Sequence, residues 1–403
     1  MSFFEKIKVS FVETLLDAFG NLRTVTPKTL FDHKARYGKG TTLWSEKVTG
    51  TASIDFVTDK SSVDLTVNLT GEVAVTQTRN RFKYQGGKSQ KIEATGVLPV
   101  VATANAQIGY FQVSQSAPYR PIDGIYFESE GTTINVCIAN ACDGTITKVP
   151  KGSWNIDNLD GNGPSGLDVD FSFGRIFYID FQWLSLGRVR FGIHYGGNLV
   201  FIHEETHVNI SEPYMRSGSQ PMCYRIEAVA DGQATCRRIC SAVISEGGSD
   251  PTGIVAAVSR KTSLVTIGDT LPVAVFGIRI KSSEADAIIE NIKVNLLATT
   301  NDSIRWILAW NPPTINGTTP VWTPIQGGSL ETFIGDNTNT IVEGLNIDEG
   351  YFSTETRVEA GTSKGNIQIG VGVDGTQDVL YLCAQCLSGS AAVTGGLVVR
   401  QLV

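Results

Sequence analysis

Hydrophobic and polar residues alternate along most of the chain, which is the pattern of half-buried β-strands. In the stretch DLTVNLTGEVAVTQT, Leu65, Val67 and Leu69 are followed by Val73 and Val75. The segments GRIFYIDFQWL, GRVRFGIHYGG and NLVFIHEETHVNI then follow one another, separated by glycines or short loops. This succession predicts an antiparallel meander in which each strand buries one face.

One stretch has helical spacing instead. Apolar residues in residues 2–19 recur three or four positions apart, and Gly20 follows where a helix would end: Phe4, Ile7, Phe11, Val12, Leu15 and Leu16. The pattern predicts an N-terminal amphipathic helix. The next residues, beginning NLRTVTPKTLFDHKARYGKG, lack strong periodicity and are interpreted as an extended arm that leads into the body of the protein.

A Gly/Ser/Asp/Pro cluster at residues 246–253, EGGSDPTG, predicts a domain boundary. Six further candidate strands follow it, each bounded by turn residues. The predicted fold class is therefore all-β, with two β-sandwich or jelly-roll domains preceded by the helix and arm. We expect an anchoring segment at residues 1–40, a first sandwich at residues 41–248 and a second sandwich at residues 249–403.

Composition narrows the class of protein. The chain has 403 residues, a net charge of −7 and 41% hydrophobic residues, which describes a globular protein and gives no basic footprint for nucleic acid. No apolar run reaches the length of about 18 residues that a membrane span needs. Cys383 and Cys386 form a C-x-x-C on a predicted strand, where residues three apart point to opposite faces, so we expect no structural zinc.

The sequence His203-Glu204-Glu205-Thr206-His207 matches the H-E-x-x-H motif of zinc peptidases. That chemistry needs a helix, which brings both histidines to one face. Here the flanking residues alternate as in a strand, and on a strand the two histidines would be about 13 Å apart. His194 lies on the predicted neighbouring strand, so histidines could still cluster. We nevertheless interpret the motif as a polar strand face and expect no metal there.

Asn158-Leu159-Asp160-Gly161-Asn162-Gly163 spaces oxygen-bearing residues before a glycine, as a calcium loop does. The match is weak, since the first position is Asn and Val169 stands where a bidentate Glu would close the site. A Gly/Asn/Asp-rich turn between strands explains the segment without a metal. We therefore expect no metal or other cofactor.

No spacing of carboxylates singles out a pair for glycoside hydrolysis, and no nucleophile or phosphate-binding motif stands in a suitable context. Several tryptophans could form a platform for stacking sugars, although in a β-sandwich such residues more often belong to the core: Trp154, Trp183, Trp306, Trp310 and Trp322. We expect no catalytic residues and no enzymatic activity.

A series of segments resembles large virion structural proteins of tailed bacteriophages and related environmental viruses. The segments are RTVTPKTLFDHKARYGKG, QTRNRFKYQGGKSQ, SWNIDNLDGNGPSGLDVDFSFGRIFYIDFQWLSLGRVRFGI and ICSAVISEGG, with a looser likeness in LLATTNDSIRWILAWNP. The strand series FYIDFQWLSLGRVRFGIHYGG is also similar to a lectin-type, concanavalin-like sandwich. The resemblance carries no known catalytic residues.

The resemblance implies a non-enzymatic structural protein on the exterior of a virion, either decorating the capsid or belonging to a tail or fibre. Its partners would be other virion proteins, contacted through the N-terminal arm. We expect a homo-oligomer, with a trimer as the first choice. The alternative hypothesis is a glycan-binding adhesin for the host surface, and a zinc metallopeptidase is a remote third.

Overall fold

The computed structural model describes residues 16–23, 26–299, 303–353, 358–360 and 367–402. The chain divides into two units, Met1–Asp250 and Pro251–Val403. The described residues form β-strands and loops with three single 3₁₀ turns, at Thr58–Lys60, Lys151–Ser153 and Ser282–Glu284. None of their helices is long and apolar enough to cross a membrane.

The strands of the first unit are mostly the short alternating runs that the sequence predicts. They are β1 (Lys28–Lys34), β2 (Trp44–Val48), β3 (Ser53–Val57), β4 (Ser62–Val67), β5 (Val73–Thr78), β6 (Gln90–Val97), β7 (Ala104–Val113), β8 (Pro121–Glu130), β9 (Thr133–Asn140), β10 (Thr145–Pro150), β11 (Arg175–Phe181), β12 (Val189–Tyr195), β13 (Asn198–Glu205), β14 (Met222–Ala228) and β15 (Ala234–Ser245).

These strands build two antiparallel sheets. An eight-stranded sheet has the order β13-β12-β11-β6-β15-β4-β3, with β1 added beside β15, and a seven-stranded sheet has the order β10-β9-β8-β7-β14-β5-β2. One face of each sheet contributes to a common apolar core. Phe127 of the seven-stranded sheet meets Phe177 of the eight-stranded sheet with ring centroids 4.8 Å apart, so the two sheets form a β-sandwich.

The N-terminal helix that the sequence predicts over residues 2–19 is not borne out. Residues 1–15 lie outside the described residues. Of the rest, Leu16 forms an isolated bridge with Leu22, and a turn separates them. The segment predicted as an extended arm contains β1, which pairs with β15 and so belongs to the eight-stranded sheet. The alternation in β1 is weak because its side chains are largely exposed, which is why periodicity did not reveal it.

A cluster of charges holds residues 16–23 against the outer face of the eight-stranded sheet. Asp180 is fully buried and accepts hydrogen bonds from Arg190 Nε at 2.8 Å and Arg190 Nη2 at 2.6 Å. Arg23 Nη2 reaches the same carboxylate at 2.9 Å, and Arg190 also donates to the carbonyl of Leu16. Burial raises the pKa of Glu246, whose carboxylate lies 3.2 Å from Arg23 Nε. The buried charges are thus compensated by one another and by a backbone carbonyl.

The second unit contains β16 (Ile254–Ser259), β17 (Val265–Ile267), β18 (Val273–Ile280), β19 (Ile288–Ala298), β20 (Ile304–Trp310), β21 (Thr314–Ile315), β22 (Trp322–Pro324), β23 (Leu330–Ile334), β24 (Ile341–Val342), β25 (Leu345–Phe352), β26 (Val358–Ala360), β27 (Ile367–Ile369), β28 (Val379–Cys386) and β29 (Ala391–Leu402).

One sheet of the second unit has the order β16-β29-β19-β26, with β17 beside β29 and β27 beside β19. The other has the order β22-β23-β18-β28-β20-β25. A small ribbon pairs β21 with β24. Both larger sheets contribute to one apolar core, and a smaller cluster around Phe333 and Tyr381 covers the opposite face of the second sheet. The second unit is therefore also built from packed antiparallel sheets.

Replacing Asp180 with Ala is expected to lower the free energy of unfolding by about 3 kcal/mol, because Arg190 would stay buried without its carboxylate. Urea unfolding monitored by tryptophan fluorescence measures the change. Asp55→Ala, at an exposed position on β3, is the control and should change stability by less than about 0.5 kcal/mol. Equal effects of the two substitutions would contradict this account of the cluster.

Candidate functional site

The H-E-x-x-H segment does not assemble a metal site. His203 lies on β13, where Nδ1 accepts the amide of Asn155 at 3.2 Å and Nε2 lies 3.0 Å from Glu205 Oε1. His207 lies beyond the end of β13, with Nδ1 2.6 Å from the Gly187 carbonyl oxygen and its ring stacked on Tyr214 at 3.9 Å. Within the part of the chain that the structure describes, no three metal-binding side chains come together.

The strand prediction for this segment is right up to Glu205 and wrong beyond it. The alternation suggests that the strand continues through Ile210, but Asn209 has a φ of 63° and the chain turns away from the sheet. His194, which could have joined a histidine cluster, is opposite Leu199 in the register, whereas His203 is opposite Phe191. The histidines of the motif are therefore held by separate parts of the first unit.

The five tryptophans do not form a common sugar-binding surface. Trp154 is buried in the core of the first unit and Trp306 in that of the second. The other three are partly buried and pack against these cores or against the smaller cluster of the second unit: Trp183, Trp310 and Trp322. Their hydrophobic surface is used for packing.

The C-x-x-C cysteines point to opposite faces of β28, as strand geometry predicts. Cys386 belongs to the core between the two sheets of the second unit, whereas Cys383 belongs to the smaller cluster on the other face. Burial raises the pKa of both thiols. The two residues lie in separate clusters and do not form a pair of ligands for one metal ion.

The segment that resembles a calcium loop is organised by its own hydrogen bonds. The carboxylate of Asp157 accepts the amides of Leu159 at 2.8 Å and Ser165 at 2.7 Å. Burial opposes charge on Asp157, but these amides outweigh it and keep the pKa of the carboxyl below its usual value. A Cβ atom at Gly163 would overlap this carboxylate, so the loop needs glycine at that position. Asp157 therefore shapes residues 157–170, which we call the Asp157 loop.

The Asp157 loop forms one wall of a cavity of about 480 Å³. The other walls come from the turn before β9 with the start of that strand, from the 3₁₀ turn after β10 and from Val100 between β6 and β7. Apolar lining comes from Val100, Ile134, Val169 and Phe171, and polar lining comes from Thr132, Thr133, Lys151, Gly152, Asn158, Asp160 and Asp170. The size and the mixed lining are those of a small-molecule site.

The polar groups of the cavity include both donors and acceptors. Lys151 Nζ donates to the Val169 carbonyl at 3.1 Å and lies 5.5 Å from the centre of the Phe171 ring. Asn158 Oδ1 is buried and has no hydrogen-bond partner. Hydrogen bonds from Ser172, assisted by the charge of Arg175 and then by that of Lys151, hold the pKa of Asp170 below its usual value. The ammonium group beside Asp170 disfavours a metal ion, whereas a neutral ligand with several hydroxyl groups could satisfy both kinds of group.

A second set of polar residues lies on the outer face of the seven-stranded sheet. Phe127 points into the core. Because side chains alternate between the two faces of a strand, Glu128 points outward, and so does Glu130, two residues after Glu128. Lys148 Nζ lies 2.7 Å from Glu128 Oε2 and 3.2 Å from Glu130 Oε1. Burial lowers the pKa of Lys148, but the hydrogen bonds and charges of the two glutamates outweigh it and raise that pKa.

This set continues across the sheet as a row of hydrogen bonds. Gln107 donates to Glu128 at 2.9 Å and accepts from Arg225 at 3.0 Å. Arg225 in turn donates to Glu227 at 2.7 Å and to the Pro118 carbonyl, so residues 114–120 fold back over the sheet. Glu128 is buried under these partners, whereas Glu130 is about half exposed, with a side-chain exposure of 50%.

The sequence analysis identified neither the cavity beside the Asp157 loop nor the Glu128–Glu130 pair. The glutamate pair had a usable signal, since two acidic residues at i and i+2 on a strand must share a face. The cavity had none, because its walls come from segments that are far apart in the sequence and meet through tertiary packing. The Asp157 loop was recognised, but as a metal-loop candidate.

Neither a protein-family profile nor a curated protein sequence matches this chain. Several solved structures are similar. A β-glucanase of Bacillus licheniformis is 10% identical, covering 53% of this chain and 96% of its own, with a TM-score of 0.35. A glycoside hydrolase family 16 endo-glucanase from Bacteroides ovatus is 12% identical, covering 53% and 99%, with a TM-score of 0.34. The carbohydrate recognition domain of Emp47p is 10% identical, covering 49% and 87%, with a TM-score of 0.31.

These similarities concern the β-sandwich fold. They correct the expectation of a non-enzymatic virion structural protein, because the similar structures are glucanases and a carbohydrate recognition domain, and none of the three is a virion protein. The lectin-like character of the predicted sandwich agrees with them. The expected virion partners and the expected homo-oligomer are not tested by these comparisons and stay predictions.

Replacing Asp157 with Ala is expected to speed hydrogen exchange at the amides of Leu159 and Ser165 by about tenfold, because both lose their acceptor. Exchange followed by nuclear magnetic resonance measures the change at single residues. Asp168→Ala is the matched control, since Asp168 is exposed in the same loop. If the Asp168 variant accelerates the same two amides equally, Asp157 does not organise the loop.

Proposed function

We propose that the first unit binds a carbohydrate in the cavity beside the Asp157 loop. The observation that carries this proposal is the lining of the cavity, where Lys151, Asp160 and Asp170 bring hydrogen-bonding groups beside the apolar Val169 and Phe171. Asn158 also lines the cavity, and its buried Oδ1, which has no hydrogen-bond partner, would gain one if the side chain turned toward a ligand hydroxyl.

A sugar ring matches the rest of the lining. Its hydroxyl groups both donate and accept, so they can satisfy the carboxylates of Asp160 and Asp170 as well as the ammonium of Lys151. The carbon-bound hydrogens of the ring give it an apolar side, which suits the wall formed by Val169 and Phe171. The volume of about 480 Å³ lies within the range of small-ligand sites.

The binding proposal is tested with the full chain on a glycan array, followed by calorimetric titration of the best sugar. Asp170→Asn and Asn158→Ala should each weaken binding by about tenfold, because each removes one hydrogen-bonding partner of the ligand. Asp231→Asn is the matched control. Asp231 is an exposed aspartate that, like Asp170, accepts a nearby backbone amide, here that of Thr70.

Two results would contradict the proposal. One is the absence of binding to any sugar on the array. The other is a loss of affinity in Asp231→Asn equal to that in Asp170→Asn, which would show that the effect does not arise in the cavity.

A second candidate function, glycoside hydrolysis, is favoured by the Glu128–Glu130 pair. Hydrolysis of a glycosidic bond uses two carboxyl groups on one site, and those of inverting enzymes are about 6.5–9.5 Å apart to admit a water molecule. Glu128 Oε2 and Glu130 Oε1 lie 2.7 Å and 3.2 Å from the ammonium of Lys148, so the two carboxyl groups are close neighbours on one face of the sheet. The hydrogen bonds that occupy Glu128 favour binding over catalysis, so hydrolysis ranks second.

Hydrolysis is tested by incubating the full chain with the bound glycan and measuring new reducing ends. If the pair is catalytic, Glu130→Gln should lower the rate by a factor of about 100 or more, since general acid–base catalysis contributes factors of this size. Asp59→Asn, an exposed carboxylate near β3, should leave the rate unchanged. If Glu130→Gln leaves the rate unchanged, this pair is not catalytic. If the unmodified chain releases no reducing ends, carbohydrate binding remains as the proposed function.

A further inference from the structure

Strand β16, residues Ile254–Ser259, lies at one end of its sheet. It pairs over its whole length with β29, and among the described strands it has no partner on its other side. Its sequence is Ile-Val-Ala-Ala-Val-Ser, without charge, proline or glycine. Ile254 is 68% exposed and Val255 is 56% exposed. Such an edge presents unpaired backbone N–H and C=O groups together with apolar side chains, and it is a template for pairing with another strand.

The end strands of the other three large sheets differ from β16. Each of them carries at least one charged residue or a proline, which are the features that prevent strands from pairing edge to edge. Examples are Lys47 on β2, Asp55 on β3, Pro150 on β10, Glu204 on β13, Pro324 on β22 and Asp348 on β25. Two three-residue strands at the edges of the same sheet, β17 and β27, also lack charge and proline, so β16, with six residues, is the longest described edge of this kind.

We infer that two copies of this chain associate through β16, whose strands pair antiparallel about a twofold axis. A strand that pairs with its own copy must be compatible with itself when reversed. Centred on Ala256, the pairing sets Ala256 opposite its own copy, Val255 opposite Ala257 and Ile254 opposite Val258 of the second copy. Pairs of this kind join β-branched side chains and small residues without a steric or charge conflict.

The charges near the strand are compatible with this arrangement. Residues 251–259 contain no charged side chain, and the next exposed charge along the chain is Lys261. Antiparallel pairing places the two copies of Lys261 beyond opposite ends of the paired strands, so the ammonium groups do not face each other. A parallel pairing would bring them side by side, and the twofold antiparallel arrangement is therefore favoured.

The inference is tested with the full chain by sedimentation equilibrium between about 1 and 100 µM, a range that covers ordinary dimer affinities. The unmodified chain should sediment as a dimer. Val255→Lys should raise the dimer dissociation constant by about tenfold or more, because an ammonium group would have to be buried at the edge. Val342→Lys is the matched control, since Val342 is also an exposed strand valine, 45% exposed on β24 and outside this sheet, and should leave the dimer unchanged.

Circular dichroism of both variants verifies that each is folded. Hydrogen exchange gives a second readout, in which the β16 amides of the unmodified chain should exchange more slowly at the high protein concentration than at the low one. Three outcomes would overturn the inference: a monomer throughout the concentration range, a trimer, or a Val255→Lys protein that dimerises as the unmodified chain does.

Discussion

The charged residues on the outer face of the seven-stranded sheet must stay paired, and much of the first unit is arranged around this constraint. Arg225 and Glu128 are buried there, and a buried charge without a partner would cost several kcal/mol. Gln107 lies between them, and its amide nitrogen donates to Glu128 while its amide oxygen accepts from Arg225. Arg225, on β14, also donates to the backbone carbonyl of Pro118, and this hydrogen bond holds the loop after β7 against the sheet.

The cavity beside the Asp157 loop differs from this row in one respect. In the row, the charged groups find partners within the protein. In the cavity, Asp157 is satisfied by amides of its own loop, but Asn158 Oδ1 is left buried and unpaired. The cavity offers hydrogen-bonding groups and apolar side chains to a ligand, whereas the polar groups of the row are occupied by one another. This contrast is the physical basis for placing function at the cavity rather than along the row.

The strands of this protein could largely be predicted from its sequence, because alternation reports directly on which face is buried. The interpretation of His203 as a strand residue and the opposite orientations of Cys383 and Cys386 both followed from that geometry. The helix predicted for residues 2–19 failed where it can be examined, since Leu16 bridges to Leu22 instead of continuing a helix. The cavity could not be predicted, because it depends on how distant loops pack and not on the spacing of residues within one of them.

The order of strands in the sheets has a consequence for biosynthesis. In the second unit, β29 lies between β16 and β19, so the strand made last is in the interior of its sheet. In the first unit, β15 separates β6 from β4, although it is made after both of them. Neither sheet can close until its last strand has emerged from the ribosome, and earlier strands such as β16 must wait with their edges unpaired. During translation each unit therefore passes through a period in which strand edges that are paired in the finished sheet are still exposed to mispairing.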